Sequence, residues 1–386
     1  MTFLKIIENS ITDLPIKYSG SFVEEIKEKL SEFGNLINAL KLDDIIEIEN
    51  FDLQEFKERN KTLREGILEA LWFYYDGEPS EALIHLKNTL EKCKIKEYLD
   101  IKHNIQQNSN LYRIRTKQGS FPFSKKEMFH IPFEKRNIVS TQRFSIPGLP
   151  SLYLANSIYV AWEELKRPDY NQIQAVRLTN QRELNLLDLT TDIYREHSCS
   201  NVSNLRRNEN ELLNKVMVWP LIAACSIKVQ HSSDPFKPEY IIPQLLMQWI
   251  KRERDVDGIK YSSTNINPSS KHNAHLYNVV IPVKSTKRDS GLCQDLIDIF
   301  FTTPTLPFQL KQFLIQSDHF SNQGSCHVNV NHEVVKIELI KGYPEDYFKT
   351  MFGVMEHTLK ALDENPIAKV ETKFHNKYRV RQRSFG

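Results

Sequence analysis

Glycine is scarce in this chain of 386 residues, and its 12 copies all lie more than ten positions apart. That spacing excludes a Gly-x-Gly-x-x-Gly turn and a P-loop, since both need several glycines in one short turn for the backbone to approach phosphate. A dinucleotide handled by this chain has to be held by side chains. The five cysteines, Cys93, Cys199, Cys225, Cys293 and Cys326, are odd in number, scattered and never in a Cys-x-x-Cys pair, so reduced thiols are expected rather than disulfides or structural zinc. His332-Glu333 lacks the second His of a zincin helix, no Gly-x-Ser-x-Gly elbow occurs, and Cys326, His327 and His332 read better as a surface loop than as a metal cluster. No metal is expected. The formal net charge is only +2, and the one basic stretch, Lys373 to Arg383, reads as a solvated tail, so there is no strong nucleic-acid signal. No run of eighteen apolar residues occurs, and Met1 to Asn9 lack the basic and apolar regions of a signal peptide. A cytoplasmic protein with no membrane partner is expected.

What the chain does have is enough apolar residues, 40% of the total, to build more than one core. Residues 20 to 95 read as helix. Ser21-Phe22-Val23-Glu24 is a capping box, and Val23, Ile26, Leu30, Phe33, Ile37 and Leu40 follow in steps of three and four. A second helix is expected over Leu63 to Tyr75, ending at Asp76-Gly77, and a third from Pro79 through Leu90.

Beyond residue 108 the pattern changes to strand-length runs. Ile173 to Leu178 alternates, Leu184 to Leu189 and Tyr277 to Val283 are short apolar runs, and Leu212 to Ser226 and Pro243 to Arg252 read as helices. Strands and helices mixed without strict alternation argue for an α+β fold. After residue 290 a strand over Val328 to Leu339 and a helix over Glu345 to Leu362 are expected. The division is therefore a helical domain at 1–108, a mixed strand-and-helix domain at 109–290 and an extension at 291–386.

The most informative stretch is Arg143 to Leu165. Pro147, Gly148 and Pro150 set a sharp turn, Leu152 to Ala155 is a brief buried strand, and Ser157 caps a helix that runs through Lys166 and stops at Pro168. That geometry is expected to gather Arg143, Tyr153 and the pair Glu163-Glu164. Successive helical residues diverge by about 100°, so the two glutamates cannot serve one site together.

This stretch resembles the core of the RES domain family, in which an Arg leads into a Pro/Gly turn, a Tyr follows in a Tyr-Leu strand, and a Glu stands eleven residues later. Here those are Arg143, Tyr153 and Glu164. The family's Tyr-Arg-hydrophobic-Arg opening is matched by Tyr112-Arg113-Ile114-Arg115, and its Gly-Ile-x-x-x-Ser pattern by Gly258-Ile259-Lys260-Tyr261-Ser262-Ser263, with Ser263 in the Ser place and Ser262 where the family has Pro. A segment from Lys125 to Pro132 lengthens the gap between Arg113 and Arg143. The resemblance spans roughly residues 110 to 285.

It implies a mixed core like that of the ADP-ribosyltransferases, preceded in one subgroup by helices related to the HEPN fold. The first 110 residues hold only His85 and His103 and no Arg followed four to six positions later by His, so HEPN nuclease chemistry is not expected from them. The resemblance further implies an NAD-degrading toxin or phage-defence effector that cleaves the nicotinamide-ribosyl bond. Glu164 would face the oxocarbenium-like ribose, Arg113 and Arg143 would hold the pyrophosphate with Arg115 as a further binding residue, Tyr153 would stack on or position the substrate, and Ser263 would bond the nicotinamide or ribose side. His272 and His275 follow Ser263 and read better as loop residues. NAD is then the substrate, with inorganic phosphate as co-substrate if the reaction is a phosphorolysis, and no bound cofactor is expected. Expected partners are an antitoxin or sensor protein and a second copy of the chain, a two-fold dimer being the default. The alternatives are ADP-ribosyl transfer to a protein or nucleic acid, and a non-catalytic nucleotide-binding module.

Overall fold

The computed structural model describes residues 2–42, 48, 51–99, 105–117, 121–194, 209–266, 276–284, 290–309, 336–340 and 342–367. In chain order these carry helices α1 (Phe3–Ile7), α2 (Phe22–Asn38), α3 (Leu53–Tyr75), α4 (Pro79–Lys92) and α5 (Ile95–Tyr98), strands β1 (Asn110–Thr116) and β2 (Ser151–Ala155), and helix α6 (Ile158–Glu164). Strands β3 (Ile173–Asn180) and β4 (Leu186–Leu189), helices α7 (Glu209–Cys225) and α8 (Ile241–Arg252), strands β5 (Gly258–Tyr261) and β6 (Asn278–Pro282), and helix α9 (Gln294–Ile297) follow. Last come β7 (Phe300–Thr302), β8 (Leu306–Pro307), β9 (Lys336–Ile340), β10 (Tyr343–Asp346), α10 (Met351–Lys360) and β11 (Asn365–Pro366). Helices thus precede a mixed-sheet core, an α+β fold. Cys199, His272, His275, the Cys326 to His332 stretch and Lys373 to Arg383 lie outside the described residues.

The chain forms two compact units that cut across the division at 108 and 290. The first comprises Met1–Asn104, Ser140–Pro147 and Asn185–Pro282; the second comprises Ile105–Val139, Gly148–Leu184 and Val283–Gly386.

In the first unit, Ser21 caps α2 by accepting from the Glu24 N–H at 3.5 Å, and Phe22, Ile26, Leu30, Phe33 and Ile37 form its buried face. Helix α3 starts at Leu53, not Leu63, because the Asp52 carboxylate accepts from the Gln54 and Glu55 N–H groups. Phe33 stacks on Trp219 of α7 at 4.1 Å, and the Trp219 indole donates to the Thr12 carbonyl at 3.1 Å. The amino-terminal helices therefore share a core with α7. Strands β4 and β5 pair in parallel and β5 pairs antiparallel with β6. Gly258 opens β5 where a Cβ would stand 2.2 Å from the Val280 carbonyl oxygen, so only glycine fits this approach.

In the second unit the strand order is β11-β7-β3-β1-β2, all antiparallel, with β8 also on β3. The β1–β3 register sets Arg113 opposite Val176 and Arg115 opposite Gln174 on one face, and Tyr112 opposite Arg177 on the other. The helix expected over Glu345 to Leu362 is shorter. Glu345 and Asp346 pair with Ile337 and Lys336 in the β9–β10 hairpin, turned at Gly342 with φ 87°, and the Thr350 hydroxyl caps α10 through the Gly353 N–H. Of the strand expected over Val328 to Leu339, residues 336–339 lie in β9 and residues 328–335 lie outside the described residues.

Candidate active site

The expected site residues fall into two sets. Arg113, Arg115, Tyr153 and Glu164 belong to the second unit, and Arg143 and Ser263 to the first.

In the second unit, period-two alternation on β1 puts Arg113 and Arg115 on one face. Arg113 donates from Nη1 to the Tyr153 carbonyl at 2.8 Å, which ties β1 to the strand that carries the tyrosine ring. Its Nε is buried with no hydrogen-bond partner. Burial pushes the Arg113 pKa down to about 10, and the Arg115 charge pushes the same way. The group is still a cation at neutral pH, and a buried cation with an unsatisfied N–H is stabilised by an anion that accepts from it. Arg115 donates to the Glu127 carbonyl at 2.6 Å and lies over the Phe123 ring at 4.9 Å. Phe123 is held by Gln174, whose buried side chain accepts from the Phe123 N–H at 2.7 Å and donates to the Phe121 carbonyl at 3.1 Å.

His130 is fully buried beside this set. Its Nε2 accepts from the Cys293 N–H at 2.8 Å, so Nδ1 carries the proton and donates to the Ile131 carbonyl at 2.8 Å. Burial pushes its pKa down to about 4, with the Arg113 charge adding to that and the Ile131 bond opposing it. It is neutral with both nitrogens occupied, which makes it a structural group rather than an acid or base.

Helix α6 separates the two glutamates. Glu163 is 3% exposed and accepts from Arg167 Nε at 3.0 Å and Nη2 at 2.9 Å, and the Tyr159 hydroxyl also bonds it. Glu164, the last helical residue, is half-buried. The helix ends there and not at Lys166 because Lys166 and Arg167 take left-handed φ values of 60° and 55° before Pro168.

In the first unit, Gln142 and Ser145 exchange backbone hydrogen bonds at 3.2 Å, and Gln244 of α8 clamps that turn by donating to both carbonyls. The turn aims Arg143 across the Tyr240 ring at 5.3 Å, where it donates to the Cys225 carbonyl at 3.1 Å and to the Thr264 hydroxyl at 3.2 Å. Thr264 follows Ser263, so the Arg and Ser expected from sequence do meet in one neighbourhood. Ser263 is buried and accepts from the Asn265 N–H at 3.1 Å. Ser262 accepts from the Thr191 N–H at 3.0 Å and donates to Asp192 at 3.3 Å. A proline there would lose both bonds. Burial pushes the Cys225 thiol up to about 12, so it is not a thiolate nucleophile at neutral pH.

Gln174, Tyr240 and Thr264 were not singled out by the sequence. None of the three carries a signal there, Gln174 standing at a polar position of the alternating run Ile173 to Leu178. Among the described residues no group of His, Cys, Asp and Glu could hold a metal ion, and no helix is long and apolar enough to cross a membrane.

Comparison with known proteins places this arrangement. A family model for the RES domain matches residues 110–292. The chain belongs to the RES domain family. It is 36% identical over 364 residues to a Bacillus subtilis (strain 168) protein named "Putative toxin YopC", covering 89% of this chain and 77% of that one. No solved structure matches.

Proposed function

We propose that the chain is a toxin that degrades NAD by cleaving its nicotinamide-ribosyl bond. The observation that carries this reading is the Arg113 Nε, a buried cationic donor without an acceptor, with Arg115 on the same strand face. A pyrophosphate supplies oxygens for such donors. Glu164 is the carboxylate assigned to the ribose cation from its place in the family motif, and Glu163 pairs with Arg167. The cation exists only as the bond breaks, so a fixed carboxylate favours the transition state over bound substrate. Nicotinamide leaves as a neutral molecule with the bonding electron pair. The C1′ carbon then bonds to water, which sheds a proton, or to inorganic phosphate. No strong acid is required at the leaving group, which agrees with a site whose nearby histidine is neutral and fully bonded.

Such an activity acts on the cytoplasmic NAD pool, as a toxin or in phage defence, and calls for an antitoxin or sensor partner. The relative's name supports the toxin reading, and regulation is the role assigned to the amino-terminal helices. The test is purified protein with NAD, with nicotinamide and the ribosyl product separated by chromatography. Free ADP-ribose indicates hydrolysis, and a phosphorylated product made only with phosphate present indicates phosphorolysis. An ADP-ribose mass added to a macromolecule indicates transfer and replaces this reading; no nicotinamide under any of these conditions refutes it.

A further inference from the structure

We infer that Glu356, outside the segment the family model matches, is a positioning residue that fixes helix α6 and through it Glu164, with Tyr347 as its partner. This rests on the role given to Glu164 above. The first turn of a helix leaves backbone N–H groups without intrahelical acceptors, and a helix of seven residues has little stability of its own. Its direction has to come from outside.

Two N–H groups of the first turn are accepted by side chains here. The Val160 N–H goes to the cap hydroxyl of Ser157 at 3.2 Å. The Ile158 N–H goes to Glu356 Oε1 at 2.7 Å, and the Tyr347 hydroxyl lies beside the Tyr159 backbone. Tyr347 in turn donates to the same Glu356 oxygen in a short hydrogen bond. One of the two acceptors, and the tyrosine bonded to it, thus come from residues 342–367. Both are buried, Glu356 to 2% and Tyr347 to 1% exposure. Phe352 of α10 adds an apolar brace, with its ring 5.7 Å from Tyr159 and 5.3 Å from Trp162 of α6. Glu164 lies at the opposite end of this helix, about 9 Å along the axis. A tilt at the first turn therefore displaces its carboxylate.

Burial holds the Glu356 carboxyl up at about 7, against Tyr347, the Ile158 N–H and Lys360, which favour the charge. Tyr112, whose buried hydroxyl has no partner, and Lys360, which also feels Arg177, are the other titratable groups facing it. A carboxyl oxygen accepts in either protonation state, so the holding bonds do not require the charge.

The test compares wild type, Glu356→Gln, which keeps the accepting oxygen, and Glu356→Leu, which keeps the bulk and removes it. The readouts are kcat and KM for NAD, normalised to folded protein, and amide exchange of the peptide spanning residues 157–164 by mass spectrometry. Glu356→Leu is expected to lose kcat at least about tenfold with KM within about twofold, and to exchange about tenfold faster in that peptide. Glu356→Gln is expected within about threefold of wild type on each measure. Wild-type kcat and exchange in folded Glu356→Leu overturns the inference, as does Glu356→Gln exchanging as fast as Glu356→Leu. If wild type cleaves no NAD, the functional reading falls, and the exchange comparison alone decides whether Glu356 holds the helix. If Glu356→Leu does not fold, Tyr347→Phe takes its place. Faster exchange of that peptide then supports the inference, and unchanged exchange overturns it.

Discussion

Arg113 and Arg143 both come from the family motif, and the two units treat them differently. Arg143 is fixed by the Cys225 carbonyl, the Thr264 hydroxyl and the Tyr240 ring. Arg113 has one carbonyl partner and a buried Nε that bonds nothing. A guanidinium with its donors engaged holds the fold, whereas one with an open buried donor is poised for an anion. A motif match cannot distinguish them, because the difference lies in the neighbours.

That contrast predicts the largest effect for Arg113→Met, a loss in kcat/KM for NAD of roughly two to three orders of magnitude with the melting temperature kept or raised, since an unsatisfied buried cation is removed. A small kinetic loss with a large fall in melting temperature would reverse the assignment of the two arginines.

Next in size is a pH effect confined to the second unit. His130 is depressed from 6.5 to about 4 and Glu356 raised from 4.5 to about 7. For His130 the unfolded chain binds more protons between those values, so its contribution to stability is lost as pH falls from about 6.5 to about 4. For Glu356 the folded chain binds more protons, so its contribution is present below about 4.5 and lost as pH rises through about 7. Each is worth on the order of 3 kcal/mol, and their slopes oppose. Glu356→Gln removes one slope, so its stability relative to wild type should rise from pH 5 to pH 7.5 in denaturant titrations. A pH-independent difference would show that Glu356 titrates normally.

Smaller again is Arg143→Met, expected to destabilise by about 2 kcal/mol through its lost bonds and ring contact. Thr264→Val, which removes one of those acceptors, should give about 1 kcal/mol by chemical denaturation. If Thr264→Val instead abolishes NAD turnover without changing stability, Thr264 belongs to the substrate site.

Much of this architecture is legible in the residues, where local chemistry decides the outcome. The Ser21 cap, the stop at Asp76-Gly77, the strand at Leu152 to Ala155 and the Ser157 cap all appear where their turn and cap residues put them. The first, nearly three, turns of α3 were hidden because Lys57, Glu58, Arg59, Asn60 and Lys61 break the apolar stripe, although Asp52 already caps the helix. The length of α10 was misjudged because a cross-strand register, Glu345 with Ile337, is decided by a partner remote in sequence. At the site, the unlike fates of Glu163 and Glu164 follow from helical geometry. That Glu163 pairs with Arg167 depends on Arg167 leaving the helix with left-handed backbone, and the sequence does not signal that. The acceptor of the Ile158 N–H, Glu356, comes from nearly 200 positions downstream, beyond any local pattern.

The central claim is that Glu164 acts on the ribosyl cation of NAD while Glu163 serves the fold. Nicotinamide release measured side by side for wild type, Glu164→Gln and Glu163→Gln tests it most directly. The expected result is release by wild type, a loss of at least about a hundredfold in a fully folded Glu164→Gln, and a lower melting temperature with kcat largely kept in Glu163→Gln. Equal release by wild type and Glu164→Gln, or a loss confined to Glu163→Gln, would contradict it.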